Sequence, residues 1–220
     1  MDHSTVPAPG SSERTRVRRI PEKAVEDRAV VEAILDAGLV AHIGIVDDTG
    51  QPFVVPVGYA RDGDRLLFHG STGSRLFRRL AEGAPTCVTV TLLDGLVLAR
   101  SAFESSMNYR GVMALGRCEV LEGIERDRAL RVVSDHLLPG RWDDIRPPSR
   151  KELAATLVLA LPLDEVSAKV SDKMPEDDPQ DVDRPVWGGI VPLRESFGEP
   201  EPDERGAAYP APDYLRTWSR

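Results

Sequence analysis

Cysteine and aromatic residues are scarce in this chain: of 220 residues two are cysteines, and 5% are phenylalanine, tyrosine or tryptophan. Two thiols cannot build the disulfide framework of a small secreted domain. Cys87 and Cys118 both fall inside apolar, strand-like runs, which suits buried free thiols in a reducing compartment. No metal-ligand spacing surrounds them, so no metal site is expected. Long apolar runs are missing too, since none approaches the roughly 18–20 residues that span a bilayer. The first twenty residues hold Pro7, Pro9, Gly10 and four arginines with no apolar stretch behind them. That composition argues against a secretory signal and for a disordered leader over residues 1–20, with the cytoplasm as the expected location. Neither a P-loop nor GxGxxG is present, so the usual nucleotide motifs are excluded as an explanation. A basic surplus is also lacking. The formal net charge is −8, and from Asp172 onward twelve Asp/Glu face six Lys/Arg, which excludes nucleic acid as an expected partner. The cluster Arg14, Arg16, Arg18 and Arg19 reads as a solvated leader or a segment that docks on a partner subunit.

What is present is a 41% apolar fraction, enough for a sizeable core, and one stretch that organises it: Leu66 to Leu80. Leu66 to Phe68 read as the buried end of a strand, closed by His69 and Gly70. Ser71-Thr72-Gly73-Ser74 form a hydroxyl-rich bend. A short helix follows, with Leu76, Phe77 and Leu80 on one face and Arg75, Arg78 and Arg79 elsewhere. Such a junction directs backbone N–H groups, hydroxyls, a helix start and a guanidinium at one point, an arrangement suited to a phosphate. The alternative is a plain Ser/Thr turn with a helix cap.

Upstream, Pro21 to Ala37 reads as a helix stopped by Gly38 in the left-handed conformation, with Asp27 as an alternative start. Leu39–Val46, Phe53–Ala60 and Leu66–Phe68 read as a meander joined by Asp47-Asp48-Thr49-Gly50 and Arg61-Asp62-Gly63-Asp64. Pro52 and Pro56 mark an edge or bulge in its middle strand. Further strands are expected at Thr86–Leu92, Leu96–Arg100 (after a turn at Asp94-Gly95), Met107–Leu121 with a bulge, and Thr156–Leu163. Helices are expected at Arg75–Glu82, Glu125–Leu138 and Ser149–Ala155. With no βαβ alternation, the fold class is mainly β, an antiparallel barrel with peripheral α-helices. Beyond Asp172 the chain is acidic and Pro-rich around an apolar island, Trp187 to Leu193, which should dock on the barrel or on a second subunit. Residues 194–220 read as a loosely ordered tail.

Three pieces taken together carry a resemblance: Phe68-His69-Gly70-Ser71 with Gly73-Ser74-Arg75; Asn108-Tyr109-Arg110 followed by Gly116; and Trp187-Gly188-Gly189. The set resembles the pyridoxamine 5'-phosphate oxidase-like FMN-binding split β-barrel family, most closely its branch related to nitroimidazole-resistance (Nim) proteins, over roughly Arg16 to Leu193. The resemblance implies an antiparallel split β-barrel spanning residues 21–193 and a homodimer with two FMN sites at the subunit interface. It implies a phosphate held by Ser74 and Arg75, with Ser71, Thr72 and Arg110 assisting because Leu76 replaces the lysine of the oxidases. It implies an isoalloxazine lined by Val55, Val57, Phe68 and His69, with Tyr109 as a further candidate and Trp187 coming from the partner. Only one of Tyr109 and Arg110 can face the site, since alternate side chains of a strand point oppositely. The Arg-x-His-x-Arg-like ending of the oxidases is missing after Trp187, which argues against a vitamin oxidase. The function expected is an FMN-dependent reductase of a small molecule such as a nitroaromatic, with His69 as catalytic proton donor. The alternatives are a flavin- or haem-binding protein without turnover, or a deazaflavin-dependent reductase. His42 and His136 read as structural, and Lys169 as a surface lysine.

Overall fold

The computed structural model describes residues 6–217. Its strands are β1 (Val40–Val46), β2 (Pro52–Asp62), β3 (Arg65–Ser71), β4 (Thr86–Leu98), β5 (Ser106–Gly116), β6 (Glu119–Val120), β7 (Thr156–Pro162), β8 (Glu165–Ser171) and β9 (Gly189–Pro192). They form one antiparallel sheet in the order β6-β7-β3-β2-β1-β4-β5-β8, with β9 added alongside β4. The sheet curls around its core as a split β-barrel, as the short turns and β-branched runs predict. The helices α1 (Arg28–Ala37), α2 (Arg75–Ala81), α3 (Gly123–Leu137), α4 (Arg150–Ala154) and α5 (Tyr214–Thr217) are peripheral.

The split lies in β2. Residues 52–58 pair with β1, in the register Val40↔Gly58 to Val46↔Pro52, whereas residues 59–62 pair with β3, in the register Tyr59↔Phe68 to Asp62↔Arg65. On the β3 side, residues 53–57 of β2 therefore have no strand partner among the described residues. Pro52 and Pro56 fall in this half, where an open edge tolerates a residue without an N–H. Past Phe68, β3 continues beside β7 alone, from His69↔Val158 to Ser71↔Thr156. The β1–β2 hairpin turns as Asp-Asp-Thr-Gly suggests: Asp47 Oδ1 accepts from the N–H of Thr49 (2.9 Å) and of Gln51 (3.1 Å). Gly50 takes the left-handed φ of 86° that closes the turn.

Several boundaries differ from those read off the sequence. Helix α1 begins at Arg28, where Asp27 Oδ1 accepts from the Ala29 N–H, and Pro21–Lys23 form a separate 3-10 turn. Gly38 is extended (φ −79°) and not left-handed. It is small because a Cβ there would lie 2.6 Å from both the Tyr59 hydroxyl and Val90 Cγ1. Asp94-Gly95 is a bulge inside the single strand β4, not a turn between two strands. Gly95 leaves room for β9, whose Val191 carbonyl would stand 2.9 Å from a Cβ. β5 ends at Gly116, and β8 was not anticipated. The apolar island contributes β9, paired with β4 from Gly95↔Pro192 to Leu98↔Gly189. The stretch read as a disordered leader lies beside β8 over residues 10–19: the Gly10 N–H donates to Val166 O (2.7 Å), and Lys169 Nζ donates to Arg19 O (2.8 Å). Residues 1–5 lie outside the described residues.

Two apolar cores flank β3, because consecutive side chains of a strand point to opposite faces. Leu66 and Phe68 join Ile43, Tyr59, Val88 and Leu159 inside the barrel, closed at one end by Leu76, Phe77 and Leu80 of α2. Leu67 faces the other way, onto Ala129 and Val133 of α3. Gly70 admits α2 to this arrangement, since a Cβ there would stand 2.3 Å from Phe77 Cε2. Gly70→Ala should therefore destabilise the fold by ~1–3 kcal/mol through overpacking, measured by urea denaturation. Combining it with Phe77→Leu should cost less than the sum of the two single changes.

Candidate cofactor site

The bend after β3 builds its own geometry. The Ser74 N–H donates to Ser71 O (2.9 Å), Ser71 Oγ accepts from the Gly73 N–H (3.1 Å), and Ser74 Oγ caps α2 by accepting from the Phe77 N–H (3.5 Å). As acceptors, both serine hydroxyls keep their own protons free to donate outward. Thr72 is tied through its backbone, whose N–H donates to Ala155 O (3.0 Å), and its side chain is exposed. Arg75 lies over the ring of Phe53 of β2, with Cζ 4.4 Å from the ring centroid. Neither the Arg75 nor the Arg78 guanidinium makes a hydrogen bond or ion pair among the described residues, whereas that of Arg79 is held by Asp48 (2.8 Å) and Glu82 (3.2 Å). The three arginines line one side of an open cavity of about 370 Å³, with Asp47, Asp48 and Thr49 on the other. Since α2 is seven residues long, most of the positive charge offered to an anion comes from the guanidinium groups. From Arg75 the line across Phe53 leads to the open edge of β2, where Val55 and Val57 are half-buried. A planar ring system could bond to main-chain groups there while an anionic tail reaches Arg75. Phe68 lies inside the core, its side chain wholly covered.

His69 points away from this corner. It shares the α3-facing side of β3 with Leu67 and opens onto a cavity of about 390 Å³ whose wall includes Leu130 of α3, Leu153 of α4 and Trp142, Ile145 and Pro148 of the intervening loop. Its imidazole makes no hydrogen bond among the described residues. Although its side chain stays solvent-exposed, partial desolvation by these neighbours lowers its pKa from 6.5, which favours the neutral ring with a lone pair available. Arg146 and Glu152 border the same cavity and pair with each other (2.6 and 2.8 Å). The Arg146 guanidinium, joined by the Ser149 N–H and hydroxyl, holds the Glu152 carboxyl well below the usual range.

The remaining candidate residues are not brought to either place within one chain. Tyr109 lies on the outer face of the sheet beside Arg16 and Lys169, in a cavity of about 330 Å³. Arg110 faces the other way and is occupied by a two-pronged pair with Asp94 (3.0 and 2.7 Å), which raises its pKa. Trp187 is 66% exposed just before β9. His42 occupies the outer face of β1, and His136 Nε2 bonds to Gly38 O (2.8 Å), a structural contact. Sequence reasoning missed Phe53 under Arg75, as well as Trp142 and Leu153 around His69. The one available signal was Trp142, an aromatic residue set between the Pro139-Gly140 stop and the Pro147-Pro148 break.

An open-edged antiparallel barrel of this topology, with unpaired guanidinium groups at one corner and a solvent-reachable histidine at an apolar cavity, is a split β-barrel with two candidate sites. The family model described as pyridoxamine 5'-phosphate oxidase matches residues 27–170, and the chain belongs to that family. No curated protein matches the chain. Among solved structures it is similar to the flavocytochrome Anf3 from Azotobacter vinelandii, with 42% identity over 96% of this chain and 98% of that one and a TM-score of 0.89. It is also similar to the FAD- and haem-binding protein from Mycobacterium smegmatis, with 41% identity over 89% of this chain and 96% of that one and a TM-score of 0.85. A candidate 5-nitroimidazole antibiotic resistance protein from Bacteroides thetaiotaomicron shares 26% identity over 67% of this chain and 86% of that one, with a TM-score of 0.56. The relatives thus include flavin- and haem-binding split barrels. His69 should titrate below 6.5 in histidine NMR spectra, and a value at or above 6.5 would contradict the desolvation described here.

Proposed function

We propose that this chain binds a flavin nucleotide and a haem and serves as an oxidoreductase towards a small molecule. The observation that carries the reading is His69: an imidazole without a hydrogen-bond partner among the described residues, facing an apolar cavity, is a nitrogen donor that would hold haem iron there. The same depressed pKa makes His69 a poorer proton donor at pH 7 than the nitroreductase reading requires. Two relatives above 40% identity, a flavocytochrome and an FAD- and haem-binding protein, support the same pairing of cofactors. The second of them also favours FAD over the FMN expected from sequence, and either flavin shares the phosphate that Arg75 would meet.

The corner residues fit that phosphate. Arg75 supplies an unpaired guanidinium, and Ser71, Thr72 and Ser74 supply hydroxyl protons. The Phe53 ring under Arg75 restrains the guanidinium and so limits the side-chain entropy lost on binding. A flavin brings hydride and single-electron chemistry and a haem brings one-electron chemistry, while the chain contributes binding, orientation and exclusion of water. Assembly as a homodimer belongs to this reading. Val40, Val46 and Val54 (62% exposed), Leu93 and Met107 leave apolar surface bare in one chain, and a second copy would cover it and carry Trp187 and Tyr109 toward a shared site. Two free cysteines, and the lack of any helix long and apolar enough to cross a membrane among the described residues, suit a cytoplasmic protein.

Absorbance of the purified protein tests the proposal: flavin bands and a Soret band are both expected, and mass analysis of the released flavin separates FAD from FMN. His69→Ala should abolish the Soret band and leave the flavin bands in place. Arg75→Ala should do the reverse, weakening flavin binding by about 10–100-fold, the loss of one charge-assisted contact. A Soret band unchanged in His69→Ala, or flavin affinity unchanged in Arg75→Ala, would overturn the assignment. Haem retention should hold at pH 7 and fall only as the pH drops below the lowered pKa of His69, where protonation competes with iron.

A further inference from the structure

The loop that forms part of the His69 cavity wall is held by the C-terminal tail. The loop after α3, residues 138–149, contributes Trp142, Ile145 and Arg146 to that wall, and it has little apolar packing of its own. It is tied at three points. Arg131 of α3 pairs with Asp143 (2.9 Å), and Arg146 pairs with Glu152 of α4 (2.6 Å). The third tie comes from 70 residues away in sequence: the Tyr214 hydroxyl donates to Asp144 Oδ2 (2.7 Å) and accepts from Arg141 Nη1 (3.3 Å). The Tyr214 ring also lies on Gly140, whose left-handed φ of 84° starts the loop. A Cβ at Gly140 would stand 3.3 Å from Tyr214 Cδ1, so the glycine gives the ring its seat. Trp142 is enclosed in sequence between the two residues that Tyr214 holds, Arg141 and Asp144.

We infer that Tyr214 is a positioning residue for the His69 cavity: through Arg141, Asp144 and Gly140 the acidic tail clamps the Trp142 loop and sets how readily a flat apolar ligand enters. The inference rests on the reading of that cavity as a ligand site. Tyrosine suits the task because one side chain combines a ring for the glycine seat with a hydroxyl for the charged pair. Tail and cavity are thereby linked: whatever releases the tail opens the wall.

Trp142 reports the clamp without any cofactor. In a Trp187→Phe, Trp218→Phe background it is the sole tryptophan of the three in the chain. Tyr214→Phe, which keeps the ring, and Asp144→Asn should each raise the open fraction of the loop about fivefold, the equivalent of one net hydrogen bond. The readout is an increased acrylamide quenching constant for Trp142. Tyr209→Phe, at an exposed tyrosine of the same tail, should leave the constant unchanged. In haem-free protein, the rate of hemin uptake, followed by the Soret band, should rise in Tyr214→Phe and not in Tyr209→Phe. Trp142 quenching unchanged in Tyr214→Phe and in Tyr214→Ala would overturn the inference, as would equal hemin uptake by Tyr214→Phe and the parent protein. If hemin binds none of the proteins, the haem reading fails, and the quenching result still decides whether Tyr214 holds the loop.

Discussion

The change of partner along β2 is the constraint on which the other features depend. A strand has two edges, and satisfying both over its full length would close the barrel and leave no main-chain groups for a ligand. Here β2 uses one edge against β1 up to Gly58 and the other against β3 from Tyr59 onward. Tyr59 fixes the crossover. It is fully buried, and its hydroxyl donates to Leu35 O at the end of α1 (2.5 Å), which locks the helix, the strand and Gly38 into one geometry. Beyond that point β3 runs on with β7 as its one strand partner, and its last three residues diverge in role. His69 looks to α3, Gly70 admits Phe77, and Ser71 starts the bend that aims Arg75 across Phe53.

The two candidate sites consequently lie on opposite faces of one short strand. This separation explains how a single motif, His-Gly-Ser followed by Gly-Ser-Arg, can border an anion-receptive corner and an apolar cavity at once. The corner draws on charge and hydroxyls near solvent, where a guanidinium is cheap to keep unpaired. The cavity draws on desolvation, which keeps an imidazole neutral and its lone pair available.

Much of this was legible in the sequence. Alternating β-branched runs, Asp-Gly and Asp-Asp-Thr-Gly turns and the apolar face of α2 gave the class of fold, and the family resemblance gave the split. Ser71, Thr72, Ser74 and Arg75 form a common corner because they are neighbours in sequence around one strand-to-helix junction. Boundaries failed where long-range packing replaced a local signal. Gly38 looks like a helix stop of the left-handed kind, yet it is required by the Tyr59 hydroxyl 21 residues further on. Asp94-Gly95 looks like a turn, yet it is a bulge that admits β9 from nearly a hundred residues away.

Residue types and local periodicity were thus enough to specify the barrel, its mainly antiparallel strands and an anion-receptive junction, because those properties depend on neighbours a few positions apart. The side of the sheet on which His69 emerges, the pairing of Arg110 with Asp94, and the meeting of Tyr214 with the Trp142 loop were decided by tertiary structure. Each depends on strand register or on contacts between distant segments, and a one-residue change of register would have turned His69 into the core and Phe68 out of it.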